Sequence, residues 1–110
     1  MINMKEELLE VLERIGNPKI KCIYLKHSNF NYKSNVDKDF ILKIGYTQDQ
    51  FREFLCRIDY KYDGGDESYG GQELFGTVWF EDGSWLERAE YDGSEWWVHK
   101  FVPPIPNELK

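Results

Sequence analysis

The side chains that could perform chemistry in this chain are few: Cys22, Cys56, His27 and His99, set among many carboxylates. A Cys–His nucleophile needs both groups within hydrogen-bond reach and a third group to orient the base. Cys22 and His27 share one strand-like run, "IKCIYLKHS", at positions of opposite parity, so they point to opposite faces of a sheet. Cys22 then reads as a small core residue. Cys56 lies off the apolar stripe of its helix, and nothing near it in sequence would lower its pKa. His99, close to Trp97, could meet Glu90 or Arg88 on one face, but a lone strand histidine reads as structural. Without CxxC spacing or neighbouring histidines, the two cysteines make no zinc site. The first residues carry charge inside their apolar pattern, unlike an export signal, so a reducing cytoplasm and two free thiols are expected.

The segment "DGGDESYGG" invites comparison with a calcium loop. Its acids, Asp63, Asp66 and Glu67, lack the alternating register and terminal Glu that such a loop requires. It also lacks the Lys of a phosphate cradle, and its charge would repel phosphate. Carboxylate pairs are so plentiful that no single pair marks a glycosidase-type site. The expectation is therefore no enzyme, no cofactor and no metal.

The elements that must position any site are readable from periodicity. "MKEELLEVLERIG" carries Met4, Leu8, Val11, Leu12 and Ile15 on one helical stripe, closed by Gly16 and Pro18. Strands follow at 20–28 and 40–46, joined by the polar connection "NFNYKSNVDKD". "TQDQFREFLCRID" is a second helix, with Thr47 and Gln50 forming a capping box and Phe51, Phe54, Leu55 and Ile58 its stripe. Residues 60–72 read as a Gly-rich acidic loop. Three strands at 74–81, 84–91 and 95–102 are punctuated by Asp82-Gly83 and Asp92-Gly93, which suit two-residue type I′ turns. The expected fold is α+β: two helices on a mostly antiparallel sheet, in the order α-β-β-α-β-β-β with a C-terminal meander. It forms one domain over 1–102 with an extended tail at 103–110.

Two-residue turns would set Phe80 opposite Trp85, Val78 opposite Glu87 and Ala89 opposite Trp96 on one face. The other face would hold Trp79 opposite Leu86, Arg88 opposite Trp97 and Leu86 opposite His99. Both faces then carry large rings, although helices can cover only one. Leaving rings wet forgoes several kcal/mol at about 25 cal/mol per Å². Either the tail folds back over the second face, or Trp97, with Trp79, Arg88 and His99, lines a partner site. The same face could serve as a homodimer seam.

Charge is uneven as well as negative, at -6 overall. Residues 59–95 hold eleven acids against only Lys61 and Arg88. Such a balance argues against direct nucleic-acid or membrane-surface binding and favours an encounter with a basic protein. Asp63, Asp66, Glu67, Glu73, Glu87, Glu90 and Glu95, anchored by Trp97, would imitate a nucleic-acid backbone on one side only, since Lys19, Lys21, Lys26, Lys33, Lys38 and Lys43 make the other half basic. The runner-up is a small-ligand or peptide module with an aromatic groove around Trp97, and the third reading is a small enzyme marked by a deep pocket with a pKa-shifted carboxylate or thiol.

The C-terminal third resembles a pattern in small proteins of bacteriophages and mobile elements: G-T-x-W-F-x-D-G-[ST]-W, then E-Y-D-G-S-E-W-W, then P-x-I-P-x-x-L. Here these fall at Gly76 to Trp85, Glu90 to Trp97 and Pro103 to Leu109. The resemblance implies a phage provenance and no assigned activity. Small acidic products of that kind include stoichiometric inhibitors of host machinery, anti-CRISPR proteins among them. The resulting expectation is a non-catalytic inhibitor, in the host cytoplasm, of a nucleic-acid-handling host protein such as a CRISPR effector nuclease.

Overall fold

A computed structural model describes residues 2–31, 34–62, 72–92 and 94–110. In chain order the elements are β1 (Ile2–Asn3), α1 (Met4–Arg14), β2 (Ile20–Asn31), β3 (Ser34–Leu42) and α2 (Gln48–Arg57). They continue with β4 (Lys61–Tyr62), β5 (Leu74–Phe80), β6 (Trp85–Tyr91), β7 (Ser94–Lys100) and a short 3₁₀ turn at Asn107–Leu109. The α+β class and the C-terminal meander are as expected, with β1 and β4 added as a two-stranded antiparallel pair.

Local chemistry starts both helices. The Asn3 side chain accepts from the Glu6 N–H, and Glu6 and Glu7 lie at the positive end of α1. At α2, Thr47 Oγ1 accepts from Gln50 N–H while Gln50 Oε1 accepts from Thr47 N–H, the reciprocal box read from the sequence. Met4, Leu8, Val11 and Leu12 of α1 and Phe54 of α2, with Ile58 just beyond it, are buried.

The main sheet is antiparallel, in the order β3-β2-β5-β6-β7. Its inner face supplies Ile20, Ile23, Leu25, Phe40, Leu42, Leu74, Val78, Phe80, Leu86 and Trp97 to the core under the helices. A bulge between Ile20 and Cys22 brings Ile20 back to that face and leaves Cys22 half-buried on the other, beside Trp79. Cys22 is therefore not the core residue that simple alternation suggests. The polar run expected as a connection is instead paired strand, with Ser28 opposite Asp37 and Lys26 opposite Asp39. The Ser28 hydroxyl donates to Asp37 at 2.7 Å, so polar cross-strand pairs do what apolar alternation does elsewhere.

The second hairpin has the expected two-residue turn, with Asp92 at φ +52° and the predicted register Ala89–Trp96, Arg88–Trp97, Glu87–Val98 and Leu86–His99. The first does not. Glu81, Asp82 and Gly83 make a three-residue turn, closed by Phe80 N–H to the Ser84 carbonyl at 2.9 Å, with Gly83 at φ +89°. The register becomes Trp79–Trp85, Val78–Leu86 and Thr77–Glu87. One extra turn residue moves Trp79 to the face of Trp85, Glu87, Ala89 and Trp96, and joins Val78 and Phe80 to Leu86, Arg88 and Trp97.

Gly76 makes the close approach of β5 to β2 possible. At φ +144° it sits where an added Cβ would strike the Tyr24 carbonyl oxygen and come within 2.9 Å of Leu25 Cα. Gly76→Ala is expected to destabilise the fold by about 3 kcal/mol, from strain and overpacking together. A matching fall in the urea midpoint, without change in slope, is the check.

Candidate functional site

The outer face of the sheet is laid out in rows of cross-strand neighbours. One row runs Cys22, Trp79, Trp85, Lys100; the next runs Ile41, Tyr24, Thr77, Glu87, Val98. Beyond it lie Lys26 opposite Phe75, and Ala89 opposite Trp96. Among the described residues no element covers this face. Trp79 is 41% exposed and Trp96 43%, with Tyr24, Phe75 and Ile41 comparably open. The tail does not fold back: every residue from 101 to 110 is exposed.

The middle row forms the floor of a trough because its two long polar side chains are drawn aside. The Tyr24 hydroxyl donates to Asp39 Oδ1 at 3.0 Å, and Glu87 Oε1 accepts from Trp85 Nε1 at 3.0 Å and meets Lys100 Nζ at 3.3 Å. The indole N–H, then Lys100, hold the Glu87 carboxyl below its ordinary range. A depression of about 360 Å³ results, lined by Thr77, Trp79, Trp85 and Glu87. A second, of about 240 Å³, lies between α1 and β7 against Trp96 and Trp97.

The inner face holds the charge that sequence reasoning assigned to a surface. Arg88, its side chain 1% exposed, reaches Glu7 Oε1 at 3.0 Å, Glu95 Oε1 at 2.9 Å and the Tyr62 hydroxyl at 2.8 Å. Its guanidinium lies 4.8 Å from the Trp97 ring centroid. The Glu95 carboxylate also accepts from the backbone N–H groups of Glu73, at 2.7 Å, and Leu74, at 3.0 Å. Burial raises the Tyr62 phenol far above its usual range, against the pull of Arg88, so it stays protonated and donates to Glu7 at 2.6 Å.

The expected contact surface is thus corrected in its parts. Trp97, 4% exposed, is a core ring and no anchor; Arg88 and Glu95 are buried partners of one another. Glu87 is bridged to Lys100 on the outer face, and Glu73 lies against His27, its side chain 17% exposed. Glu90 is exposed near the β6–β7 turn, and Trp79 alone of the predicted rings faces solvent. Asp63, Asp66 and Glu67 lie outside the described residues. His99 packs edge-on to Phe80 and bonds to Ser84 Oγ at 3.0 Å. Sequence reasoning missed Trp85 and Trp96 as site residues because it took the Trp97 face for the contact face, and the one-residue error in the first turn left Trp79 there instead of beside them.

Cys22 and Cys56 are free, and no group of acids, histidines and cysteines among the described residues could hold a metal. Burial raises the Tyr60 phenol to about 12, so it is no base at neutral pH. His27 lies on the core face, its Nδ1 2.8 Å from the Tyr60 hydroxyl. Among the described residues, no helix is long and apolar enough to cross a membrane. Comparison with protein-family models, curated proteins and solved structures finds no match.

Two outcomes follow from the inner cluster. Arg88→Ala strands a buried carboxylate and should cost about 3–5 kcal/mol in urea unfolding, whereas exposed Arg52→Ala should leave the midpoint nearly unchanged. Burial, then Lys38, lowers the His27 pKa from 6.5, so the unfolded chain takes up the proton first. Stability from this group is complete above that value and declines as pH drops toward the folded pKa. The urea midpoint should fall between about pH 7.5 and about pH 5.5, and His27→Gln should flatten that decline.

Proposed function

We propose that this chain is a non-catalytic protein-binding module whose contact surface is the uncovered sheet face, with Trp79, Trp85 and Trp96 as its anchors. The observation that carries this reading is three indoles gathered on one face that no element among the described residues covers, Trp79 and Trp96 being exposed and Trp85 partly so. Lys26, Asp39 and Lys100 border them, while Glu87 lies between the rows and is tied to Trp85 and Lys100; rings flanked by polar groups are common in protein interfaces. A peptide laid across the aromatic rows fits the trough better than a small molecule does, because the depression is shallow and open-ended.

The net charge of -6 supports a partner with a basic surface, through steering more than through contact. The phage-type C-terminal pattern supports a host protein as that partner and inhibition as the outcome, with a CRISPR effector nuclease as one candidate. In this reading phosphate mimicry is secondary, since Glu95 and Glu87 are engaged within the protein.

The test is capture of partners from a bacterial host lysate, followed by measured binding of each purified partner. Trp79→Ala with Trp96→Ala should weaken binding by about 30-fold or more while leaving the circular dichroism spectrum unchanged. Equal affinity in the double variant, for every captured partner, would remove the outer face from the function.

A further inference from the structure

The same chain carries a second apolar surface that no element among the described residues covers: Phe101 is 64% exposed, Val102 72%, Ile105 62% and Leu109 75%. These residues belong to "FVPPIPNELK", which leaves β7 at the edge of the sheet. We propose that the tail of one copy docks in the outer-face trough of a second copy, and the second tail in the first trough, giving a reciprocal dimer. The inference rests on the reading of that face as a binding surface and gives it an occupant in the free protein, one that a host partner must displace.

Three observations carry it. The first is shape. Val102, Pro103 and Ile105 each precede a proline, which bars them from the helical region, and Pro106 is extended at φ -61° and ψ 148°. Residues 102–106 are therefore held near a polyproline II conformation, the form that aromatic-lined grooves receive. Five such residues span about 16 Å at 3.1 Å each, enough to cross four strands spaced about 4.8 Å apart. The two aromatic rows stand four residues apart along the strands, about 13 Å, leaving room for one extended chain over Thr77 and Val98.

The second is direction. To lie on its own face, the tail would have to reverse immediately after Lys100, because residues 102, 103 and 105 cannot enter the helical conformation that a common turn uses. It stands away instead. The third is area. One tail on one face covers a small contact, whereas reciprocal exchange covers two tails and two faces. That doubling brings the buried surface toward the roughly 1,200–2,000 Å² of stable interfaces.

Sedimentation equilibrium of the full chain over a wide dilution series is the test, with three variants: Val102→Ser/Ile105→Ser in the tail, Trp79→Ser/Trp96→Ser on the face, and an equimolar mixture of the two. The wild type should dimerise, and each variant alone should dissociate at least about 30-fold more readily. The mixture should regain a weak dimer through its one intact tail and one intact face. A synthetic peptide of residues 101–110 should shift the tryptophan fluorescence of the tail variant. A dimer unaffected by the tail changes overturns the inference in favour of another seam. A wild-type monomer whose tail variant binds the peptide overturns it in favour of a tail bound to its own face. If the peptide fails to bind but lysate partners still depend on Trp79 and Trp96, the inference alone fails. If neither depends on those rings, the reading of the face falls with it.

Discussion

The structure depends on one buried cation. Arg88 has no solvent to satisfy it, so each of its partners must be delivered by a different part of the chain: Glu7 by α1, Tyr62 by β4, Glu95 and the Trp97 ring by β7. An unpaired charge there would be intolerable, and the arrangement pins the first helix and the short β1–β4 pair to the meander. Glu95 has a second role. The β5–β6 register extends from Thr77 to Trp79, and toward the start of β5 the Glu95 carboxylate takes the N–H groups of Glu73 and Leu74 in place of a strand. A side chain thus completes a backbone ladder that would otherwise end in buried donors.

That interior fixes what is left for the outside. Once Arg88, Glu95 and Trp97 face inward, alternation along β6 and β7 requires Trp85, Glu87, Ala89 and Trp96 to face outward. The three-residue turn at Glu81–Gly83 brings Trp79 to join them. The outer aromatic face and the buried ion cluster are therefore two consequences of one register. Neither could change alone.

Much of this was legible in the sequence, and for physical reasons. Helical stripes and the Thr47–Gln50 cap are local signals, and the Asp92-Gly93 turn fixed the β6–β7 pairing residue by residue. Asp82-Gly83-Ser84 repeats Asp92-Gly93-Ser94 in sequence, so the triplet alone does not separate the two turns. The Asp82 carboxylate accepts from both the N–H and the hydroxyl of Ser84, which draws the chain into a longer turn. The polar hairpin was hidden because its pairing is carried by Ser28, Asp37, Tyr24 and Asp39, which no hydrophobic period marks. Arg88 and Glu95 were hidden because pattern reading sends charges outward. The clue that would have found them was Arg88 opposite Trp97 on a face that the sequence register already crowds with Leu86 and Trp79. The excess of rings over one interior was legible from composition, but their sorting between faces was not.

The most direct measurement is hydroxyl-radical footprinting of the dilute chain, with each tryptophan resolved by mass spectrometry. Trp79 and Trp96 should be oxidised rapidly, while Trp97 is protected until the chain unfolds. Oxidation of Trp97 as fast as Trp96, or protection of all four indoles in the monomer, would contradict the uncovered face on which the account depends.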